Sequence, residues 1–306
     1  MASSSILYKA CAKINLYLDV VCKRPDGYHN IETIFQSISL HDTLKFASNP
    51  TEVEILTAHP RMPPQEQNLV YKAALLLQQE TKTGRGAGIT LNKNIPIAAG
   101  LAGGSADAAA ALAALNLLWE TGLDDAALLS IAARVGSDVP FCLTGGTVAG
   151  TGRGEILIKL PPLDTRWIVI VTPPFAVSTA DAYTSLTVRP CGESGQEGPT
   201  DRFCRVLELV RSGNAEEVLY NAMERVVTEK CPEVSELKEV LERAGCTATL
   251  MSGSGPTVFG FVASRDEGIA AVERLERTLP DHFVALAGTS DVGWERVSAT
   301  TDTAAG

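Results

Sequence analysis

Residues 95–115 read IPIAAGLAGGSADAAAALAAL: an apolar strand end, a turn of glycine and alanine, a serine, then an unbroken run of alanine and leucine with high helix propensity. Such a junction suits phosphate. Gly100, Gly103 and Gly104 let backbone N–H groups converge on oxyanions, and the helix start adds roughly half a unit of positive charge. Ser105 can donate a hydrogen bond or join a magnesium shell. A glycine pair alone would signify no more than a tight turn, whereas these glycines and a serine ahead of an uninterrupted helix favour an anion site. No lysine follows the glycines as in a Walker A loop, and no GxGxxG occurs, so the phosphate-binding architecture is of another kind.

Upstream, Ile14, Leu16, Leu18 and Val20, then Ile34, Ile38, Leu40 and Leu44, recur with the period of two that predicts strands. Between them RPDGYH (24–29) carries Pro-Asp-Gly, a turn signal because Pro fixes φ and Gly permits positive φ. Tyr28 and His29 are thereby set at or just past a hairpin tip. NLVYKAALLLQQE (68–80) repeats apolar residues at helical spacing behind Asn68, a candidate N-cap. GITLNKNIP supplies a short strand into the glycine turn, and the helix that follows runs to Gly122.

Downstream, DDAALLSIAARVG (124–136) predicts a helix, and SDVPFCLTGGTVAGTGRGEILIKL (137–160) a turn and two glycine-rich strands. Pro161 and Pro162 mark the clearest boundary, giving domains over 1–162 and 163–306. WIVIVTPP reads as a strand, 189–201 as an exposed loop, and 202–212, 214–229 and 233–244 as helices. A strand at 247–251, the turn SGSGP (252–256), the strand TVFGFVA, a helix over 266–279 and the strand HFVALAG complete an alternation of α and β. The last dozen residues read as frayed.

With 306 residues, 45% of them hydrophobic and 20% charged, the chain can bury a sizeable core and has the profile of a globular protein. A formal net charge of −10 opposes general attraction to nucleic acid or anionic lipid, so a phosphorylated ligand has to be held by backbone amides and a few local cations. The seven cysteines form no CxxC pair and read most simply as reduced thiols. The start, MASSSILYKACAKINLYLDV, lacks a secretory pattern, and the expected location is the cytoplasm.

Three separated segments converge: AKINLYLDV with DGYH near the start, PIAAGLAGGSADAA in the middle, and MSGSGPTVF near the end. Together they resemble the GHMP kinases. Within that superfamily AKINLYLDV, RPDGYHNIETIFQ and SDVPFCLTGGTVAGTGRGE resemble the branch that phosphorylates a cytidine diphosphate ester in non-mevalonate isoprenoid precursor synthesis. The resemblance runs from about residue 8 to about 290.

It implies a two-domain α/β (α+β) fold, the N-terminal part like the second domain of ribosomal protein S5 and the C-terminal part ferredoxin-like, with the site between them. It implies that Pro96, Ile97, Ala98, Ala99, Gly100, Leu101, Ala102, Gly103, Gly104, Ser105 and Ala106 wrap ATP, with Mg2+ implied beside it. Many relatives have a glycine-richer loop ending in two serines, whereas Ala99, Ala102 and Ala106 stand here at the variable places. By the same resemblance Asp138 is the catalytic base and Lys13 its partner, and Asn15, two positions on, shares the face of Lys13 and helps hold the acceptor. Tyr28 and His29 would recognise cytosine, with Tyr183 completing the sandwich, and Asn68 would lie near the adenine.

Taken without the resemblance, Lys13 is a strand-surface charge, Asp138 a turn or helix cap, Asn68 an N-cap, Tyr183 a helix anchor and SGSGP a plain hairpin turn. The four histidines and the scattered cysteines have no metal-ligand spacing, so no protein metal site is expected. Expected partners are small molecules only, for a monomer or weak homodimer. Two rivals stand at this point: another GHMP kinase acting on homoserine, mevalonate or a sugar, and a non-catalytic nucleotide-binding regulator.

Overall fold

The computed structural model describes residues 5–192 and 198–297. Strands β1 (Ser5–Lys23) and β2 (His29–Asn49) form a long antiparallel hairpin, turned at Gly27 with φ 87°. Both faces of the hairpin are buried, because it is a wall shared by two cores. One core packs Tyr8, Phe35 and Phe46 with the helices of the N-terminal half, and the other packs Ile14, Leu16, Ile34 and Ile38 with Phe203 and Val206.

β3 (Val53–Leu56) leads through a 3-10 turn at Gln65–Gln67 to α1 (Leu69–Thr81), whose N-cap Asn68 accepts from the Val70 amide at 2.9 Å. β4 (Gly86–Asn92) pairs with β2 and β3 and delivers the chain to the glycine turn. α2 (Gly103–Leu118) follows, its alanine-rich residues buried on nearly every side, which is what a helix apolar all round requires. Asp124 caps α3 (Asp125–Val135) through the Ala127 amide.

The stretch expected as a turn and two strands begins instead with α4 (Val139–Thr144), ahead of β5 (Thr147–Thr151) and β6 (Ile156–Lys159). The part read as a turn is this short helix, because Pro140 in its first turn has its φ preset for a helix.

The C-terminal half contains β7 (Trp167–Thr172), α5 (Thr179–Thr184) and α6 (Asp201–Arg211). The single helix expected over 214–229 is broken into a 3-10 turn at Ala215–Val218, β8 (Tyr220–Asn221) and α7 (Ala222–Lys230). Tertiary bonds override local propensity there: β8 pairs with β1, and the Asn221 amide group donates to the carbonyls of Met251 and Gly253 at 2.7 and 2.8 Å. α8 (Glu233–Arg243), β9 (Thr247–Met251), β10 (Val258–Val262), α9 (Arg265–Thr278) and β11 (Phe283–Ser290) follow the expected order. β12 (Trp294–Val297), part of the tail expected to fray, pairs with β1, while 298–306 lie outside the described residues.

The sheet runs β12-β1-β2-β11-β7-β10-β9, with β4 and β5 also on β2. β11 joins the halves, pairing fully with β7 but meeting β2 only at Thr289–Ile38 and Ser290–Ser37. A cleft is lined by residues of both halves. One chemical expectation is corrected: Cys22 and Cys191 form a disulfide, and the remaining five cysteines are free. Spacing in the sequence gave no hint of a pair 169 residues apart that the fold of β1 and the segment after α5 brings together.

Candidate active site

The cleft has a volume of about 860 Å³ and takes side chains from both halves. At its floor β1 departs from regular pairing, with register shifts between Cys11 and Lys13 and between Asn15 and Tyr17. Bulges re-aim side chains, and these bracket the two polar residues of AKIN. Lys13 is buried, with Nζ donating to Asn15 Oδ1 at 2.7 Å; Asn15 Nδ2 donates to Thr33 Oγ1 at 2.8 Å, and Thr33 donates to the Tyr17 carbonyl at 2.6 Å. This relay orients the Asn15 amide and leaves the ammonium with capacity to spare. The Lys13 ammonium also lies 5.4 Å from the centre of the Phe35 ring.

Asp138 stands across from it, its carboxylate 3.9 Å from Lys13 Nζ. It occupies the N-cap position of α4, yet its side chain makes no cap hydrogen bond, so the plain capping role does not account for it. One carboxyl group, 36% exposed and facing a buried ammonium 5% exposed, can take a proton from a ligand in the cleft.

The glycine turn forms the adjoining wall. Ala98 and Ala102 hold φ near 55° and Gly100 φ 80°, a sequence of left-handed residues that turns the chain from β4 into α2. The N-cap Ala102 offers no side-chain bond, so the first amides of α2 remain available to an anion. The turn is fixed from two sides. The Lys13 amide donates to the Leu101 carbonyl at 3.1 Å, while Ser252 Oγ donates to the Gly100 carbonyl at 3.0 Å. SGSGP is thus more than a hairpin turn: Gly253 lies so close that a Cβ there would meet Lys13 Nζ at 3.3 Å and the Gly100 carbonyl oxygen at 3.1 Å.

At the far end Tyr28 projects from the hairpin tip with the Arg153 guanidinium 4.8 Å from its ring centre. His29 stacks on Tyr183 of α5, ring centres 5.1 Å apart and planes 20° from parallel. Burial lowers the His29 pKa, with the Lys23 charge acting in the same direction, and burial raises that of Tyr183, so both rings are neutral near pH 7. Two neutral rings beside an exposed tyrosine suit an uncharged planar base.

The cleft therefore brings together Lys13, Asn15, Tyr28, His29, Asn68, Asp138, Tyr183, Pro96–Gly100 and Ala102–Ser105. Leu101 and Ala106 do not line it; they are buried beneath the turn and contribute backbone. Asn68 is at once the cap of α1 and a lining residue.

Sequence reasoning missed Thr33, Arg153 and a buried triad under the turn, in which Lys93 bonds to Asp42 and, at 2.7 Å, to Asp107. The Asp42 carboxylate also accepts from the amides of Asn94 and Ile95, holding the approach to the turn. The proximity of Lys93 and Asp107 to the glycines was the available signal; Asp42 is far away in sequence.

Burial raises the Asp107 carboxyl above the ordinary carboxylate range, with Lys93 pulling it down and Asp42 pushing it up. A carboxyl raised in the folded state keeps a proton that the unfolded chain releases near its ordinary value of 3.8, so its stabilising share is lost as pH climbs through the raised value. Asp107→Asn does not titrate. Its thermal midpoint is therefore expected to rise relative to wild type between about pH 4 and about pH 8 and to level off above; a difference independent of pH would contradict the assignment.

Comparisons now bear on the site. Residues 68–146 match the model of the GHMP kinases N terminal domain and 206–281 that of the GHMP kinases C terminal. The 4-diphosphocytidyl-2-C-methyl-D-erythritol kinase of Pelotomaculum thermopropionicum is 45% identical over 270 residues, 88% of this chain and 93% of that one. The chain belongs to the 4-diphosphocytidyl-2-C-methyl-D-erythritol kinases. The Moorella thermoacetica kinase of that name is 44% identical, covering 90% of this chain and 96% of its own. A crystal structure of 4-(cytidine 5'-diphospho)-2C-methyl-D-erythritol kinase superposes with a TM-score of 0.74 at 33% identity, covering 93% of this kinase and 100% of that chain. Homoserine kinase from Cytophaga hutchinsonii superposes as well, TM-score 0.75 over 97% of this chain and 98% of its own, but at 18% identity it shows the fold alone.

Proposed function

We propose that this kinase transfers the γ-phosphoryl group of ATP to the 2-hydroxyl of 4-diphosphocytidyl-2-C-methyl-D-erythritol, giving the 2-phosphate and ADP in non-mevalonate isoprenoid precursor synthesis. The observation that carries the reading is the juxtaposition in one cleft of the Lys13–Asp138 pair, the amide-lined turn and the His29–Tyr183 stack.

The turn and the start of α2 hold the phosphates. Asn15, oriented by its relay to Thr33, positions the acceptor. As the hydroxyl oxygen bonds to the γ-phosphorus, the bond to the β,γ-bridging oxygen breaks and Asp138 receives the hydroxyl proton. Lys13 balances charge on the phosphoryl group as it moves, and positioning provides most of the acceleration.

Magnesium fits the donors present. Among the described residues no three His, Cys, Asp or Glu side chains gather as a cation cage, and Mg2+ ordinarily combines phosphate oxygens and waters with one or two protein ligands. Ser105, lining the cleft in the first turn of α2, is the side chain that would hold it. Bound there, the ion would neutralise charge on the β- and γ-phosphates.

We also read the chain as two domains, 1–162 and 163–306, and place it in the cytoplasm as a monomer or weak homodimer acting on small molecules. The separate matches to the N- and C-terminal family models support the division, and the acidic balance supports the absence of nucleic-acid partners. Among the described residues no helix is long and apolar enough to cross a membrane.

Removing the aromatic partner of His29 tests base recognition. Tyr183→Ala is expected to raise KM for the cytidylyl substrate about tenfold, the scale of one base–aromatic stack, while KM for ATP stays within about twofold. Equal turnover of mevalonate or homoserine by the wild type, in an ADP-release assay, would overturn the substrate assignment.

A further inference from the structure

We propose that Cys22 and Cys191 form a thiol–disulfide latch that sets the affinity of the cytosine end of the cleft. The inference rests on the substrate reading above and adds a control to it. The disulfide joins the two segments that supply the base-binding rings. Cys22 is next to Lys23, which pairs in register with His29 across the hairpin, and Cys191 lies on the segment that follows Tyr183 and α5.

The surrounding bonds mark the contact as a built junction. The Lys23 amide donates to the Arg189 carbonyl at 2.9 Å, and the Cys191 amide donates to the Lys23 carbonyl at 2.8 Å. Asn30, opposite Cys22 in the hairpin, directs its side-chain amide toward both sulfurs, at 3.6 and 3.5 Å. The segment is thus laid against the end of β1 as a short added strand, and the covalent bond pins it there.

Among these ties the disulfide is the one a change of redox state removes. With it broken, the backbone bonds to Lys23 remain and α5 keeps its bonds from Thr179 to Ser254 and from Lys230 to Ser185, but the covalent link between the Tyr183 segment and the His29 hairpin is lost. A base that needs both rings in place then bears the cost of ordering them. ATP does not, because the glycine turn is held by Lys13 and Ser252 instead.

The geometry also gives a reductant a way in. Cys22 is fully buried, whereas Cys191 is partly exposed and lines a shallow surface cavity with Lys23, Arg24 and Pro190. A thiolate of a dithiol reductant attacks Cys191 Sγ, breaking the bond to Cys22 and forming a mixed disulfide. The second reductant thiol then displaces Cys191. Two electrons and two protons end on the cysteine pair, and the reductant leaves as its own disulfide. In the reducing cytoplasm such an accessible bond responds to the thiol pool, whereas a wholly enclosed one is shielded.

The test uses the full chain, oxidised in air or reduced with dithiothreitol. Alkylation without reductant is expected to label five of the seven cysteines under denaturing conditions, and all seven after reduction. Reduction is expected to raise KM for the cytidylyl substrate by about three- to tenfold, with KM for ATP and kcat within about twofold. Cys191→Ser should behave as the reduced protein under both conditions, and Cys204→Ser, at an exposed free thiol, should respond like wild type.

Seven labelled cysteines after oxidation, or one KM shared by the oxidised, reduced and Cys191→Ser proteins, would overturn the latch. Absence of turnover in every state would instead contradict the phosphorylation reading. In that case the affinity for cytidine diphosphate in the two redox states decides the latch, with equal values overturning it.

Discussion

Asp138→Asn is expected to lower kcat by about 10² to 10⁴, the usual contribution of a positioned general base, while the dissociation constant for ATP stays within about twofold. The substitution keeps the shape of the side chain and removes its proton affinity. Little else in the fold depends on that carboxylate. It makes no cap bond to α4, it is 36% exposed, and its nearest ion-pair partner is 3.9 Å away, so stability should change little. A loss confined to kcat would separate a chemical role from a structural one. A drop smaller than about fivefold would remove Asp138 as the base, since a carboxamide cannot accept the hydroxyl proton.

Gly100→Ala is expected to abolish saturable ATP binding and to lower the thermal midpoint. Gly100 holds φ 80°, where an L side chain costs about 1–2 kcal/mol, and its Cβ would lie 2.2 Å from the Ser252 carbonyl oxygen. Backbone blocks backbone, so no rotamer change relieves the contact. The turn has to move away from SGSGP, and with it go the Ser252 bond to Gly100 and the alignment of amides at the start of α2. Gly84→Ala, at a position with no atom within 4 Å of the added carbon, should leave ATP binding and the midpoint unchanged. ATP affinity within about threefold of wild type in Gly100→Ala would show that the turn does not hold the phosphates.

The elements legible in the sequence were those whose signals are local. Asn68 and the 2- and 3.6-residue periods set β1, β2, α1 and α3, and alanine-rich helix propensity set α2, because capping, spacing and propensity act over a few residues. α4 was misread because six residues of mixed apolar and proline character carry no periodicity. The helix expected over 214–229 failed for a different reason: Asn221 satisfies carbonyls of a distant turn, a bond invisible to propensity. Part of the loop expected at 189–201, residues 193–197, lies outside the described residues, yet its first residues are paired with β1.

The candidate site divides in the same way. Lys13, Asp138 and the glycine turn were readable as motifs, but what the motifs do depends on partners remote in sequence. Lys13 is oriented by Asn15 and Thr33, Gly100 is held by Ser252, and Lys93 is held by Asp42 and Asp107. Spacing predicts which residues share a strand face; it does not predict which strand will lie opposite. For that reason SGSGP passed as a turn, although Gly253 and Ser254 line the ligand cleft, and Cys22–Cys191 passed as two free thiols.

Phosphorus spectroscopy of the product tests the central claim most directly. The C2 carbon of the methylerythritol unit bears a methyl group and no hydrogen, so a phosphate on its oxygen has no three-bond coupling to a carbinol proton. Incubation of the wild type with ATP and 4-diphosphocytidyl-2-C-methyl-D-erythritol should yield one new monoester resonance, a singlet without proton decoupling, in step with ADP release. A doublet or triplet, marking phosphate at C3 or C1, or ADP release with no new monoester, would contradict the account.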